Sequence, residues 1–228
     1  MTEHTVRKFD ADLRILTNEI STMGRLAQSQ IADAIDAMSK HNVRLAQQVR
    51  AADAEIDALQ REIESKSVDI IARRQPVAGD LRAIVGALRI VTDLERIGDI
   101  AVNIAKRTEA LSNARWPKGI KIRLRKMVKL TIEQLSRVLD SYARLDATQA
   151  VDVWRKDKKI DALNVAIFHH LLTDMLDDAS NISFGTQLIF SAKNVERVGD
   201  HATNIAESVY YIVHGSVIPG ERPKADQV

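Results

Sequence analysis

A chain of 228 residues can hold one large domain or two small ones, and 45% hydrophobic against 28% charged residues is ordinary for a protein with a sizeable core. The absence of cysteine excludes a disulfide framework and thiolate-held zinc or iron–sulfur sites. A net charge of only +2 gives the molecule as a whole no electrostatic case for nucleic acid.

Nine glycines, four prolines and 4% aromatics leave few turns and an aliphatic core, which points to long helices. From Asp10 to Ser39 the apolar residues Leu13, Leu16, Ile20, Met23, Leu26, Ile31, Ile35 and Met38 keep a three-four spacing, which predicts one amphipathic helix. His41-Asn42 interrupts it, with Asn42 as the N-cap of a second helical stretch, Val43 to Arg74, expected to break near Ala51 or Ala52. Gln75-Pro76 ends that stretch, and Pro76, tolerated in a first turn, is expected to open a third helix reaching about Ser112. Trp116-Pro117-Lys118-Gly119 is the clearest boundary in the chain.

The two sides of that boundary are copies of one pattern. Met23, Ile31, Asp36, Val49, Asp53, Ile56 and Asp57 recur as Met127, Leu135, Asp140, Val153, Asp157, Ile160 and Asp161, each displaced by 104 residues. Later the displacement is 101, from Glu95 to Glu196, because the second copy is three residues shorter at its Asp178-Ala-Ser-Asn-Ile-Ser183 turn. The predicted fold class is all-α, with three-helix repeats at 1–115 and 116–215 and a polar tail, 216–228, expected to be disordered. The N-terminal residues form no apolar run of the kind a signal or membrane span needs, and a reducing cytoplasmic compartment is expected.

The last helix of each copy carries the same row: Glu95, Asp99 and Asn103 in the first, Glu196, Asp200 and Asn204 in the second, each one turn apart. Val91, Leu94, Gly98, Ala101, Val102 and Ala105 form a small-residue apolar stripe beside the first row, so its acids border the core. Carboxylates at such a boundary need compensating charge, either from Arg96 and Arg197 or from a bound hard cation. Duplication of the row shifts the weight towards a site. Asp57 precedes Pro76 by 19 residues and Glu95 follows it by 19, so an antiparallel hairpin bent there brings both to one height. Asp53 with Asp57, and Asp157 with Asp161, then face the rows, four acids in each half. Asp53 and Asp157 have a second reading, as acids favoured near helix N-termini by the macrodipole.

Asp, Glu and Asn oxygens suit Mg²⁺, Ca²⁺ or Mn²⁺, and take Fe where a histidine joins. His201 adjoins Asp200, but its counterpart is Ile100, so it is read as solvent-facing or supporting rather than as a ligand. The Glu-x-x-His pairs of di-iron bundles are absent, as are the phosphate-binding and dinucleotide-binding glycine loops, His-Glu-x-x-His and Gly-x-Ser-x-Gly. His169 and His170 are neighbours and so point about 100° apart on a helix. Lys118, Lys121, Arg123, Arg125, Lys126 and Lys129, with Ile122 among them, are a solvated face or a surface for a partner or an anionic membrane.

Ile56-Asp-Ala-Leu59, Ala72-Arg-Arg-Gln-Pro-Val-Ala-Gly-Asp-Leu-Arg82 and Leu94-Glu-Arg-Ile-Gly-Asp99, with its repeat Val195-Glu-Arg-Val-Gly-Asp200, resemble the PhoU-type regulators of phosphate uptake, over roughly Asp10 to His214. The resemblance implies two three-helix bundles related by a pseudo-twofold, commonly a homodimer, with divalent or trivalent metal ions (Mg, Mn, Fe or Zn) on the acidic rows. Carried over, the metal residues are Glu95 with Asp99 and Glu196 with Asp200; Asn103 and Asn204 from the helical row, and Asp57 and Asp161 from the hairpin spacing, join them as candidates. It also implies a cytoplasmic, non-enzymatic adaptor coupling the ATPase subunit of the phosphate ABC transporter to a membrane sensor histidine kinase. Such a protein is not membrane-inserted; its partners bring it to the membrane. Asp80, Arg82, Arg96 and Arg197 are the candidate partner-binding residues, and the Pro76–Arg82 pattern has no counterpart in the second half. Two other classes compete: a divalent-metal phosphohydrolase, and a purely structural helical dimer with salt bridges in place of metals.

Overall fold

The computed structural model describes residues 3–111 and 116–222, with no side-chain description for 3–7, 109 and 110. Seven α-helices and one 3-10 turn make up the secondary structure of the described residues: α1 (Glu3–Lys40), α2 (Val43–Arg74), α3 (Gly79–Ala110), α4 (Ile120–Arg144), α5 (Ala147–Lys156), α6 (Lys158–Asp177), the turn Ala179–Asn181 and α7 (Ile182–His214). The first bundle is α1–α2–α3; in the second, α5 and α6 together take the place of α2.

Asn42 caps α2 as expected, its side chain accepting from the Leu45 amide at 3.1 Å. Asp146 caps α5 in the same way through Gln149. The stop after α2 is sharper than proline alone makes it: Gln75 adopts φ 49° and ties its N–H to the Ile71 carbonyl, and Ala78 is also left-handed. Two left-handed residues in four turn the chain before a helix restarts, so α3 begins at Gly79 and not at Pro76. The break expected near Ala51 is absent, and α2 runs through. The corresponding stretch of the second copy does break, at Asp157.

The core accounts for the layering. α3 and α7 are the most enclosed helices, burying Ile90, Val91, Leu94, Ile97, Ala101 and Ile104 in one case and Leu188, Val195, Val198, Ala202, Ile205 and Val209 in the other. α2 faces the core chiefly through Val49, Ile56, Ile63 and Ile70, one residue every two turns, and keeps a solvated outer face. The bundles join through their corresponding helices, α3 against α7 and α1 against α4, with α3–α7 the most extensive contact in the molecule. Twofold-related positions meet across that seam: Arg107 Nη1 donates to Gln187 Oε1 at 2.7 Å, and the positions equivalent to these, Ser208 and Gly86, face each other. The pseudo-twofold therefore runs between α3 and α7. No described helix is long and apolar enough to cross a membrane.

The stretch expected to be a disordered tail is, over 216–222, laid back on the second bundle. Gly215 ends α7 with φ 71°, Ile218 is 7% exposed in the core, and Arg222 reaches the acidic residues of α5–α7. Residues 223–228 lie outside the described part of the chain, as do residues 112–115, just before the Trp116 boundary.

Candidate functional site

In the first bundle, α2 meets α3 at Gly98, where Asp53 packs in. A Cβ placed there would lie 3.2 Å from Asp53 Oδ1 and 3.1 Å from Ile56 Cδ1, so the missing side chain is the space into which the carboxylate fits. Asp53 sits mid-helix, ten residues into α2, which removes the helix-dipole reading for it. Burial pushes its carboxyl above the usual range, and the nearby charges of Asp57 and Asp99 push it further; Lys106 pulls the other way. Glu95 is raised likewise, by burial first, then Asp99, with Asp57 and Asp53 adding and Arg96 opposing. The four acids anticipated for this half thus share one electrostatic field.

Compensation is partial. Arg96 donates to Asp99 Oδ2 at 3.0 Å, and its Nε lies 3.4 Å from Glu95 Oε2 without the geometry of a hydrogen bond, so that buried oxygen has no donor. Arg96 itself is 56% exposed, and its screening is correspondingly weak. The buried Gln30 on α1 has an unpartnered Oε1 as well.

The second bundle repeats the frame. A Cβ at Gly199 would meet Asp157 Oδ1 at 3.0 Å, Ile160 Cδ1 at 3.3 Å and Gln134 Oε1 at 3.5 Å. Gln134, the counterpart of Gln30, donates through Nε2 to Asp157 Oδ1 at 3.1 Å and leaves its Oε1 without a donor. Asp157 stands at the start of α6 but makes no cap there; its carboxylate is turned to Gln134 and Arg222. Glu196 Oε2 is buried and unpartnered, and burial raises this carboxyl, with Lys193 opposing and Asp200 and Asp161 adding.

The cations differ from those expected. Lys193 pairs with Glu196 at 2.7 Å, and Arg222 bridges Asp157 Oδ2 at 2.6 Å and Asp200 Oδ1 at 2.5 Å, while Arg197 is exposed. Lys193 and Arg222 thus take the neutralising role that adjacency suggested for Arg197. Asn103 is exposed. Asn204 donates across the seam to Asp93 Oδ1 at 3.2 Å, beside His201 Nδ1 at 2.8 Å from the same oxygen. His201 is therefore tied to α3, a supporting position. Among the other partner candidates, Asp80 is exposed in the first turn of α3, whereas Arg82 is half-buried against Gly215.

Among the described residues no three carboxylates or histidines already stand within coordination distance of a common point. The donor chemistry nevertheless fits a hard cation: acids raised by burial and mutual repulsion, with buried Glu95, Glu196 and Gln134 oxygens lacking donors. An ion would draw these side chains inward, and glycine at 98 and 199 leaves the room. Sequence reasoning missed Gln30, Gln134 and Arg222. The glutamines had one available signal, a recurrence at the same displacement of 104.

The PhoU domain model matches residues 20–108 and again 124–209, one match per bundle. The chain is 44% identical over 223 residues to the "Phosphate-specific transport system accessory protein PhoU homolog" of Rhizobium meliloti (strain 1021), covering 98% of this chain and 94% of that one. It is 45% identical over 226 residues to the like-named protein of Caulobacter vibrioides (strain NA1000 / CB15N), covering 99% and 98%. The crystal structure of PhoU from Pseudomonas aeruginosa superposes with a TM-score of 0.86 at 37% identity, over 91% of this chain and 100% of that one.

Proposed function

This chain belongs to the PhoU family, and from that premise we propose that it is an accessory protein of a phosphate-specific transport system, restraining phosphate uptake and holding phosphate-starvation genes off when phosphate is plentiful. It acts in the cytoplasm as an adaptor, a homodimer placed between the ATPase subunit of the phosphate ABC transporter and a sensor histidine kinase. It is a regulator and not an enzyme. The observation that carries this reading is the near end-to-end match, across both bundles, to relatives that bear the transport-accessory name.

The two acidic clusters hold Mg, Mn, Fe or Zn in this reading, supported by the duplicated Gly–Asp pairing and by the unpartnered buried oxygens of Glu95, Glu196 and Gln134. The test is a strain lacking the gene, carrying a phosphate-starvation reporter and supplied with either the native protein or an Asp99→Asn, Asp200→Asn protein. The native chain silences the reporter in phosphate-rich medium; failure to do so overturns the regulatory reading. Full silencing by the double variant overturns the metal part alone. A melt of metal-stripped protein with excess Mn²⁺ reports on binding directly. At a hundred times its dissociation constant an ion adds about 2.7 kcal/mol, a rise of about 5 to 11 °C in a chain of this size.

A further inference from the structure

The two acidic clusters share a frame but differ in what fills them. Gly98 and Gly199, Asp53 and Asp157, Gln30 and Gln134, Glu95 and Glu196, and Asp99 and Asp200 correspond pair by pair. In the first cluster the cation is Arg96, which reaches Glu95 and Asp99 from the exposed side. In the second it is Arg222, whose side chain is 19% exposed and spans from the 2%-exposed Asp157 to Asp200. Arg222 comes from outside the helical frame, on a segment that follows Gly215, is anchored by the buried Ile218 and contains Gly220, both glycines with positive φ.

We propose that the segment 216–222 is a tethered competitor for the second acidic site, with the Arg222 guanidinium serving as its resident cation, so that metal loading of this site and docking of the segment exclude each other. The proposal rests on the reading of the clusters as metal sites. Three observations carry it. One of the two Arg222 hydrogen bonds falls on Asp157, the acid that Gln134 and the Gly199 cradle also meet, and the other on Asp200 in the acidic row. Gln134, only 8% exposed, turns an undonated Oε1 towards the same cradle, an acceptor the guanidinium leaves unsatisfied. Arg222 Nε is buried without a partner, so the arginine is an imperfect occupant and its departure is correspondingly easier.

The consequence is a division of labour between the halves. The first cluster loads metal unconditionally, whereas the second loads only as 216–222 comes away. A metal signal is thereby converted into release of a peptide. If the docked segment outweighs the undocked one by about ten to one, the apparent metal affinity of the second site falls by about the same factor.

The test uses full-length, metal-stripped protein titrated with Mn²⁺ by calorimetry. The native chain is compared with Arg222→Gln, Arg222→Lys and, as a control for net charge, Arg197→Gln, which removes an exposed cation one residue from Glu196. A Gly98→Leu change in each background blocks the first cluster and leaves the second alone. The expected result is two unequal sites in the native protein, with the weaker strengthened about tenfold or more by Arg222→Gln. Arg222→Lys, which keeps the charge but on a shorter side chain than the one whose single Nη2 spans both carboxylates, falls between the two, and Arg197→Gln changes affinity about twofold at most. Two Mn²⁺ sites of equal affinity that ignore Arg222→Gln, or an equal gain from Arg197→Gln, overturn the competition and leave the metal reading standing. No Mn²⁺ binding by any of these proteins overturns the metal reading and the competition with it. Because the chain has no cysteine, a fluorophore on Val217→Cys, at a position 82% exposed, supplies a second readout. Its anisotropy falls on saturation with diamagnetic Mg²⁺ or Zn²⁺ if the segment leaves, and holds steady if it does not.

Discussion

Equivalent substitutions in the two bundles should shift the stability of the metal-free protein in opposite directions. Asp53 is a carboxylate among like charges: Asp57 one turn away on its own helix, Asp99 across the interface, and only Lys106 in opposition. A like-charge pair at one-turn spacing costs about 0.2–0.5 kcal/mol, and partial burial adds to that. Asp53→Asn removes these penalties and should stabilise the stripped protein by about 1 kcal/mol. Asp157 is the reverse case. It is buried, accepts from Gln134, and holds Arg222. A hydrogen bond to a charged group contributes about 1.5–3 kcal/mol; severing a fully buried pair costs about 3–5, but Arg222 keeps Asp200, so the lower range applies. Asp157→Asn should therefore cost about 2 kcal/mol. At about 2–4 °C per kcal/mol, Asp53→Asn moves the melting midpoint up by about 2–4 °C and Asp157→Asn down by about 4–8 °C. The assay is thermal unfolding in excess chelator followed by helical circular dichroism. Shifts of the same sign and size in the two variants would refute the claim that Arg222 neutralises one cluster while the other is left strained.

Three further outcomes are expected from the same geometry. Gly199→Ala, whose Cβ would press Asp157 Oδ1 at 3.0 Å, and Gly98→Ala, which would press Asp53 Oδ1 at 3.2 Å, should each cost about 1 kcal/mol and weaken Mn²⁺ binding at their own cluster only, measured by melting and calorimetry. Burial pushes the Tyr142 hydroxyl up to about 12, with a Thr17 hydrogen bond in mild opposition. Its raised value means the neutral form is the one the fold favours, so stability from this group is complete below about pH 10 and lost as pH climbs through 12. In phenolate absorbance, the difference between the native protein and Tyr142→Phe should accordingly appear near pH 12 and not near 10. Ile218→Asp, which puts a charge at a 7%-exposed position, should reproduce the metal-affinity gain of Arg222→Gln by undocking the same segment.

The fold was legible because its determinants are periodic. Ile56, Ile63 and Ile70 on α2, or Leu94, Ile97 and Ala101 on α3, recur at helical spacing, and a second copy at fixed displacement doubles the signal. Facing of Asp57 and Glu95 came from counting residues either side of Pro76, since equal arms of a hairpin end at equal height. The start of α3 was less legible, because the left-handed turns at Gln75 and Ala78 lie at residues with no turn propensity of their own and arise from the packing of the flanking helices. The tail misled for a related reason. Polar composition argues for disorder only when nothing apolar anchors the chain, and here one isoleucine, Ile218, does so next to a charged residue with two carboxylates to reach. Arg222 has no counterpart in the first repeat, so no internal comparison could have singled it out.

The location of the α5–α6 break bears on why the halves diverged. In α2 the chain passes Asp53 without interruption, yet at Asp157 the helix stops and restarts while the residue keeps helical dihedrals, φ −55° and ψ −36°. A helix N-terminus concentrates unpaired amides, and an aspartate there ordinarily bends back to cap them. Asp157 caps nothing; Gln134 and Arg222 hold its carboxylate in the opposite direction, towards the cluster. The cap was thus given up in favour of the cluster, and the cation drawing the carboxylate away sits on a separable segment. With helical dihedrals Asp157 lacks the extended backbone an N-cap needs, so its carboxylate stays with the cluster whichever cation occupies it. The second cluster is in this way built on a helix junction that the first bundle, with its unbroken α2, does not possess.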